Sequence, residues 1–280
     1  MKNIHCKDIT ECVKNLCIKA NCILNDDVYA AISKASEYEE SEIGKDILKK
    51  IMENARIAHS EMKPICQDTG MAVIFIELGQ DVHIQGGFIK DAVNEGVRLG
   101  YKEGYLRKSI VFDPLIRKNT NDNTPALIHY DIVEGENIKI TVAPKGFGSE
   151  NMSRIFMLKP SDGRDGVINA VMESVINAGS NPCPPMVIGV GIGSDFEGCA
   201  LLSKKALLRP IGTFSDKEHL KSIEKELFNK INSLGIGPQG LGGRFTVLGV
   251  NVVCAPTHIA GMPVAVNISC HVTRHAEEIL

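Results

Sequence analysis

The chain has 280 residues, of which 44% are hydrophobic and only 5% aromatic, with no Trp and a formal net charge of −3. That length and apolar content suit one large domain or two small ones built around an aliphatic core. The charge balance argues against a nucleic-acid-binding protein, which carries a basic stripe, and no run of about 18 apolar residues offers a membrane span.

The first eight residues, Met1 to Asp8, lack the apolar core of a signal peptide, so a cytoplasmic location is expected. Residues 8–60 read as helical. Ile43, Ile47, Leu48, Ile51, Met52 and Ala55 recur there at the helical period and form a stripe for burial. Met71 to Leu78 is a short apolar run with the character of a buried strand, and Val82 to Gln85 is expected to pair with it across Gly79-Gln80-Asp81. Residues 88–103 return to a helical pattern, and Asn119 to Pro125 is a polar loop. Ile138 to Val142 alternates like a half-exposed strand. A helix is expected at about 164–178, with Val167, Ile168, Val171, Met172, Val175 and Ile176 on one face. A strand follows at 186–191, then helices near 196–208 and 216–233, then strands at about 245–254 and 262–269. Helices and strands mix without strict alternation. The expectation is therefore an α+β fold, with mixed or antiparallel sheets flanked by helices, a mostly helical region over 1–60, and a single domain over 1–280.

Nine cysteines in a cytoplasmic chain are not expected to form disulfides. Cys6, Cys12, Cys17 and Cys22 match no metal-ligand spacing and read as small buried hydrophobes on a helix. Cys199, in a helical run, and Cys254, ending an apolar strand, read the same way. The other three occupy constrained contexts: Pro64-Ile65-Cys66-Gln67-Asp68-Thr69-Gly70, Asn181-Pro182-Cys183-Pro184-Pro185, and Asn267-Ile268-Ser269-Cys270-His271-Val272-Thr273-Arg274-His275. Prolines around Cys183 fix the backbone and remove competing donors. No Cys-x-x-Cys pair is present, so the pattern is neither a ferredoxin nor a zinc ribbon. Composition alone favours three ordinary buried thiols. Three thiolates on rigid loops would equally serve an iron–sulfur cluster that keeps one iron open.

Several other residues carry two readings. Asp68 suits a turn or helix cap as well as proton chemistry. Arg107 suits a solvated surface, and His258 a structural role. His271 and His275, four apart, would share a helix face and with Cys270 could imitate a zinc site. Gly189-Val190-Gly191-Ile192-Gly193 looks like half of a dinucleotide fingerprint, but no acidic residue closes a second strand at the expected distance. The glycine run Gly235 to Gly243 is too long for a P-loop and lacks its Lys-Ser/Thr end, so it is expected to let backbone approach a substrate or cluster.

Taken in order, Cys66-Gln67-Asp68-Thr69-Gly70, Leu106-Arg107, Lys145-Gly146-Phe147-Gly148-Ser149-Glu150-Asn151, Asn181 to Pro185, Gly235 to Gly243, Pro256-Thr257-His258-Ile259-Ala260 and Cys270 to His275 closely resemble the α-type domain of the class I (iron–sulfur) fumarate hydratases and L(+)-tartrate dehydratases. One departure is Phe147, where the family often has a third glycine; an outward-pointing side chain would make it tolerable. The resemblance implies a [4Fe–4S] cluster on Cys66, Cys183 and Cys270. It implies a catalytic Asp68 acting on a hydroxyl from a partner subunit, and substrate contacts from Gln67, Arg107, Gly148 and His258. His271, Arg274 or His275 would support the cluster from behind. The implied reaction is hydration of fumarate to (S)-malate, as in the tricarboxylic acid cycle, with L(+)-tartrate dehydration as the alternative. The chain would be an α subunit, incomplete as a catalyst because it ends just past the last cluster motif, and would join a β subunit in an α2β2 assembly. Outside that resemblance the alternatives are a non-catalytic iron–sulfur module or a zinc-binding protein.

Overall fold

The computed structural model describes residues 2–280. A short strand, β1 (Lys2–His5), precedes three helices, α1 (Cys6–Cys22), α2 (Asp26–Tyr38) and α3 (Glu42–Glu61). Next come β2 (Met71–Gly79), β3 (Val82–Gln85), α4 (Ile89–Glu103), β4 (Leu127–Val133), β5 (Ile138–Lys145) and the single turn α5 (Phe147–Glu150). The remainder is β6 (Arg154–Leu158), α6 (Gly163–Ala178), β7 (Met186–Ser194), α7 (Phe196–Ala206), α8 (Glu218–Asn232), β8 (Val247–Thr257), β9 (Met262–Ser269) and β10 (Ala276–Ile279). The fold is α+β, as the mixed pattern implies. None of the described helices is long and apolar enough to cross a membrane.

The chain forms two units, each with its own apolar core. The first gathers Met1–Asn25, Asn54–Phe147 and Arg274–Leu280; the second gathers Asp26–Glu53 and Gly148–Thr273. In the first, a four-stranded sheet of order β10-β5-β2-β4 packs Ile74, Ile76, Ile138, Ile140 and Val142 against Val13 and Leu16 of α1 and Val93 and Val97 of α4. β2 runs parallel to β4 and antiparallel to β5. The hairpin expected between residues 71–78 and 82–85 does not form. β3 pairs instead in parallel with β1, from Lys2 opposite Val82 to His5 opposite Gln85. The cause lies in the turn. The Gly79, Gln80 and Asp81 N–H groups donate to the carbonyls of Asn137, Val133 and Gly135, so the chain leaves β2 toward the β4–β5 connection while both edges of β2 are filled from afar. β5 is not half-exposed either: flanked by β10 and β2, it buries even Thr141.

In the second unit the sheet order is β6-β9-β7-β8. Met186, Ile188 and Val190 of β7 face a cluster formed with Val171 and Val175 of α6 and Leu227 and Ile231 of α8. Ile176, expected on that buried face, is exposed. The opposite face of β7 receives α7. A Cβ at Gly189 would stand 2.1 Å from the Ser203 carbonyl oxygen, and one at Gly191 would stand 2.3 Å from that of Cys199. The glycine alternation is thus explained by a helix lying directly on a strand, with no need for a phosphate.

Candidate functional site

In the first unit, residues 66–70 form the irregular entry to β2. Gly70 has φ +75°, and a Cβ there would fall 2.7 Å from the Lys145 carbonyl, so the segment lies directly against the end of β5. Asp68 holds this junction from its side chain: Oδ1 accepts the Gly70 N–H at 3.0 Å and Oδ2 accepts the Phe147 N–H at 2.9 Å. Its carbonyl accepts Nη2 of buried Arg274 at 2.8 Å. The Thr69 hydroxyl accepts the Arg107 N–H at 2.9 Å and donates to the Arg107 carbonyl at 3.2 Å. Cys66, Gln67, Asp68 and Arg107 are therefore brought together through the backbone, with Gln67 and the Arg107 side chain exposed. Cys66 Sγ accepts the Asp68 N–H at 3.4 Å and lies 3.4 Å from Gln67 Oε1, to which the thiol donates.

Two residues behind this loop escaped the sequence reading. The hydroxyl of fully buried Tyr101 donates between the Thr69 and Gly70 carbonyls, at 2.9 and 3.0 Å. Buried Asn123 donates to the Gly70 carbonyl at 3.2 Å and accepts the Ser109 N–H at 2.7 Å. A Tyr in a helix and an Asn in a polar loop carry no local signal of such a partnership.

In the second unit, Cys183 is exposed and sits at φ +55°, a left-handed conformation that is unusual for a residue with a Cβ. Its N–H closes a turn onto the Ser180 carbonyl at 3.1 Å. Its carbonyl is 2.9 Å from His271 Nδ1. The same Nδ1 is 3.2 Å from Gln239 Nε2, so the His271 ring bridges the Cys183 loop and Gln239. This places Cys183 beside the segment that follows β9 and contains Cys270. Gln239 braces the same loop: its N–H and its Nε2 both donate to the Pro184 carbonyl, at 2.7 and 2.9 Å. Gln239 belongs to the 235–243 glycine run, so the run supports the Cys183 loop. Residues 270–275 form a turn, with the Thr273 N–H on the Cys270 carbonyl at 3.1 Å, so His271 and His275 do not share a helix face.

Gly148 and His258 are both exposed. The nearest atom to a Cβ at Gly148 would be the Asn181 carbonyl oxygen at 4.0 Å, so no part of this unit requires glycine there. His258 sits in the short crossing from β8 to β9, where its Nδ1 accepts the Ala260 N–H at 3.2 Å. Phe147 is 46% exposed, in keeping with an outward side chain.

The thiols divide by environment. Cys6, Cys12, Cys17, Cys22 and Cys199 are buried, as expected. Burial pushes the Cys12 thiol up to about 12 and raises those of Cys17, Cys22 and Cys199 as well, so none of these four is a ready thiolate. Cys66, Cys183, Cys254 and Cys270 are solvent-accessible. Cys254 departs from the buried reading and takes Lys217 Nζ at 3.3 Å. The three cysteines of the constrained motifs thus have the accessibility and fixed loops that a cluster needs of its ligands. Among the described residues no group of three or more His, Cys, Asp or Glu is disposed to hold a metal ion. Ligands of one ion must crowd to about 2.3 Å from it, whereas thiolates on separate irons are spaced by the cluster itself.

Comparison with known proteins agrees with this reading of the motifs. The family model described as fumarate hydratase (Fumerase) matches residues 10–278. The chain belongs to the fumarate hydratase family. Among its relatives is a protein of Methanocaldococcus jannaschii provisionally named L(+)-tartrate dehydratase subunit alpha, 42% identical over 274 residues, with 96% of each chain covered. The L(+)-tartrate dehydratase subunit alpha of Escherichia coli strain UTI89 is 35% identical over 269 residues, covering 94% of this chain and 87% of the relative. That of strain K12 is 34% identical over 268 residues with the same coverage. For a fumarate hydratase family member, the supports described above (Tyr101, Asn123 and Gln239) explain how loops distant in sequence are held rigid.

Proposed function

We propose that this chain is the α subunit of an iron–sulfur hydro-lyase acting on a C4 dicarboxylate, and that its reaction is the reversible hydration of fumarate to (S)-malate. The observation that carries the proposal is the set of three accessible cysteines, each in a motif of the family and each in a braced loop. In this reading residues 1–280 work as one α-type domain, with Cys66, Cys183 and Cys270 as ligands of a [4Fe–4S] cluster. When bound, the cluster supplies a Lewis-acidic iron that polarises a substrate oxygen.

The protein's own residues do the rest. Arg107 offers a planar fork for one substrate carboxylate, and its backbone is pinned to Thr69 so that the fork starts from a fixed point. Gln67, exposed beside Cys66, offers an amide to the same substrate. Gly148 presents a backbone N–H to the substrate from an exposed, uncrowded position. His258 contributes a ring nitrogen from the β8–β9 crossing. Asp68, oriented by the Gly70 and Phe147 N–H groups, acts on a hydroxyl brought by a β subunit. Two copies of each chain complete an α2β2 assembly.

A second reading is L(+)-tartrate dehydration, favoured by the names of the relatives. The test is anaerobic co-expression with the β subunit, followed by iron and sulfide analysis and assays with fumarate and with L(+)-tartrate. Fumarate hydration by the complex, cluster retention without turnover by the α chain alone, and loss of activity in air are expected. Tartrate consumption without malate dehydration would replace the first reading with the second. Full hydration by the α chain alone would remove the β subunit from the proposal.

A further inference from the structure

β4 lies at the end of the sheet order β10-β5-β2-β4 and pairs with β2 without a bulge. Strands in this position are ordinarily protected by Lys, Pro or a bulge. β4 reads Leu127-Ile128-His129-Tyr130-Asp131-Ile132-Val133 and has none of these. Ile132 is 76% exposed, Leu127 44% and Tyr130 43%. On its inner side the Val133 carbonyl accepts the Gln80 N–H at 2.8 Å. By the alternation along a strand, Ile128, Tyr130 and Ile132 then direct their N–H and C=O groups outward.

The sequence of β4 is complementary to itself read backwards. With Tyr130 opposite Tyr130 of another copy, Ile128 meets Ile132, His129 meets Asp131, and Leu127 meets Val133. Two apolar pairs and an opposite-polarity pair result on each side of the centre. Moving the centre to Asp131 sets two carboxylates against each other and puts Ile128 opposite Glu134. Moving it to His129 puts Leu127 opposite Asp131. Only the Tyr130 register is favourable throughout.

We propose that β4 pairs antiparallel with β4 of a second copy of this chain, about a two-fold axis at Tyr130, so that two sheets become one. The arrangement is isologous and closes on itself. It also explains the exposed side chains. Ile128, Tyr130 and Ile132 stand beside Ile74, Ile76 and Leu78 of β2, on the sheet face that bears the first unit's apolar core. Tyr130 and Ile132 are the rim of that face, and the second copy continues it. The interface deepens the two-copy assembly proposed above, but it concerns self-association alone, so its test involves no turnover.

The test uses the full chain, with and without the β subunit. Light scattering should give two copies per particle, and Ile132→Lys should halve that mass. Ile132 is exposed within one copy, so the folded circular dichroism spectrum should be unchanged, while the melt should lose its dependence on protein concentration. Mild diamide oxidation followed by peptide mapping should join two copies of Tyr130→Cys at position 130, since directly opposed strand residues lie within disulfide reach. Leu127→Cys, opposed to Val133 and far from its own counterpart, should not cross-link to itself. A parent of single-copy mass, an unchanged mass for Ile132→Lys, equal cross-linking at positions 127 and 130, or a cross-link from position 130 to the β subunit would each overturn the proposal.

Discussion

Replacing Glu39 should loosen a loop that supports the proposed ligand Cys183. Glu39 is 2% exposed, and its carboxylate accepts backbone N–H groups from Glu40 and Ser41 at 2.8 and 3.0 Å, from Arg244 at 2.8 and 3.0 Å to its two oxygens, and from Phe245 at 3.0 Å. The Glu40 and Ser41 donors are local and can be rehydrated at the start of α3. The Arg244 and Phe245 donors tie the distant glycine-rich loop to this point. Hydrogen bonds to a charged acceptor contribute about 1.5–3 kcal/mol each. Loss of the two long-range ties puts Glu39→Ala at about 3–5 kcal/mol of destabilisation after partial relaxation. Glu39→Gln keeps the shape but turns an NH2 toward an N–H donor, at a cost of about 2 kcal/mol. Burial acts to raise the Glu39 carboxyl, and the backbone N–H groups of Arg244, Ser41, Phe245 and Glu40 together outweigh it, holding it below the ordinary value. A carboxyl depressed in the folded state stabilises above its unfolded value of about 4.3 and loses that contribution as the pH falls through the folded value. The gap between parent and Glu39→Gln should thus be full at neutral pH and shrink progressively below about pH 4. Urea unfolding across that range measures it, and hydrogen exchange should show faster Arg244 and Phe245 amides. Because the same loop carries Gln239, the iron-free Glu39→Ala chain should also alkylate faster at Cys183. A Glu39→Gln variant within about 0.5 kcal/mol of the parent, or a gap indifferent to acid, would refute the reasoning.

Tyr101→Phe removes the buried donor shared by the Thr69 and Gly70 carbonyls and should cost about 1–3 kcal/mol; chemical denaturation checks this, and faster exchange of the Gly70 amide should accompany it. Gly189→Ala places a methyl 2.1 Å from the Ser203 carbonyl and should cost about 3 kcal/mol or more by forcing α7 off β7, read as a lowered unfolding midpoint. Cys183→Ser should lose iron and sulfide from the anaerobically prepared protein, whereas Cys199→Ser, at a buried and raised thiol, should keep both. Equal loss in the two variants would undo the ligand assignment.

Much of this was present in local sequence. The helical periods of α4, α6, α7 and α8 and the apolar runs of β2, β7, β8 and β9 fall where the pattern puts them, because a period reports which side of an element meets the core. The buried cysteines of α1 and the family motifs were equally legible. Other elements were not. β1, β6 and β10 are five residues or fewer, too short for a period to emerge, and β4 mixes His, Tyr and Asp among aliphatics. The partners of β2 come from residues 127–133 and 138–145, while the nearer candidate at 82–85 pairs with β1.

Fold class, family and the constrained settings of three thiols were readable locally, since proline flanks, glycine positions and apolar spacing act over a few residues. Long-range packing settles that Tyr101 and Asn123 brace Gly70, that Gln239 braces Pro184, and that Gly189 and Gly191 seat a helix. Those outcomes depend on which backbone groups remain unsatisfied after the strands have paired, a property of register and long-range closure that no local window contains.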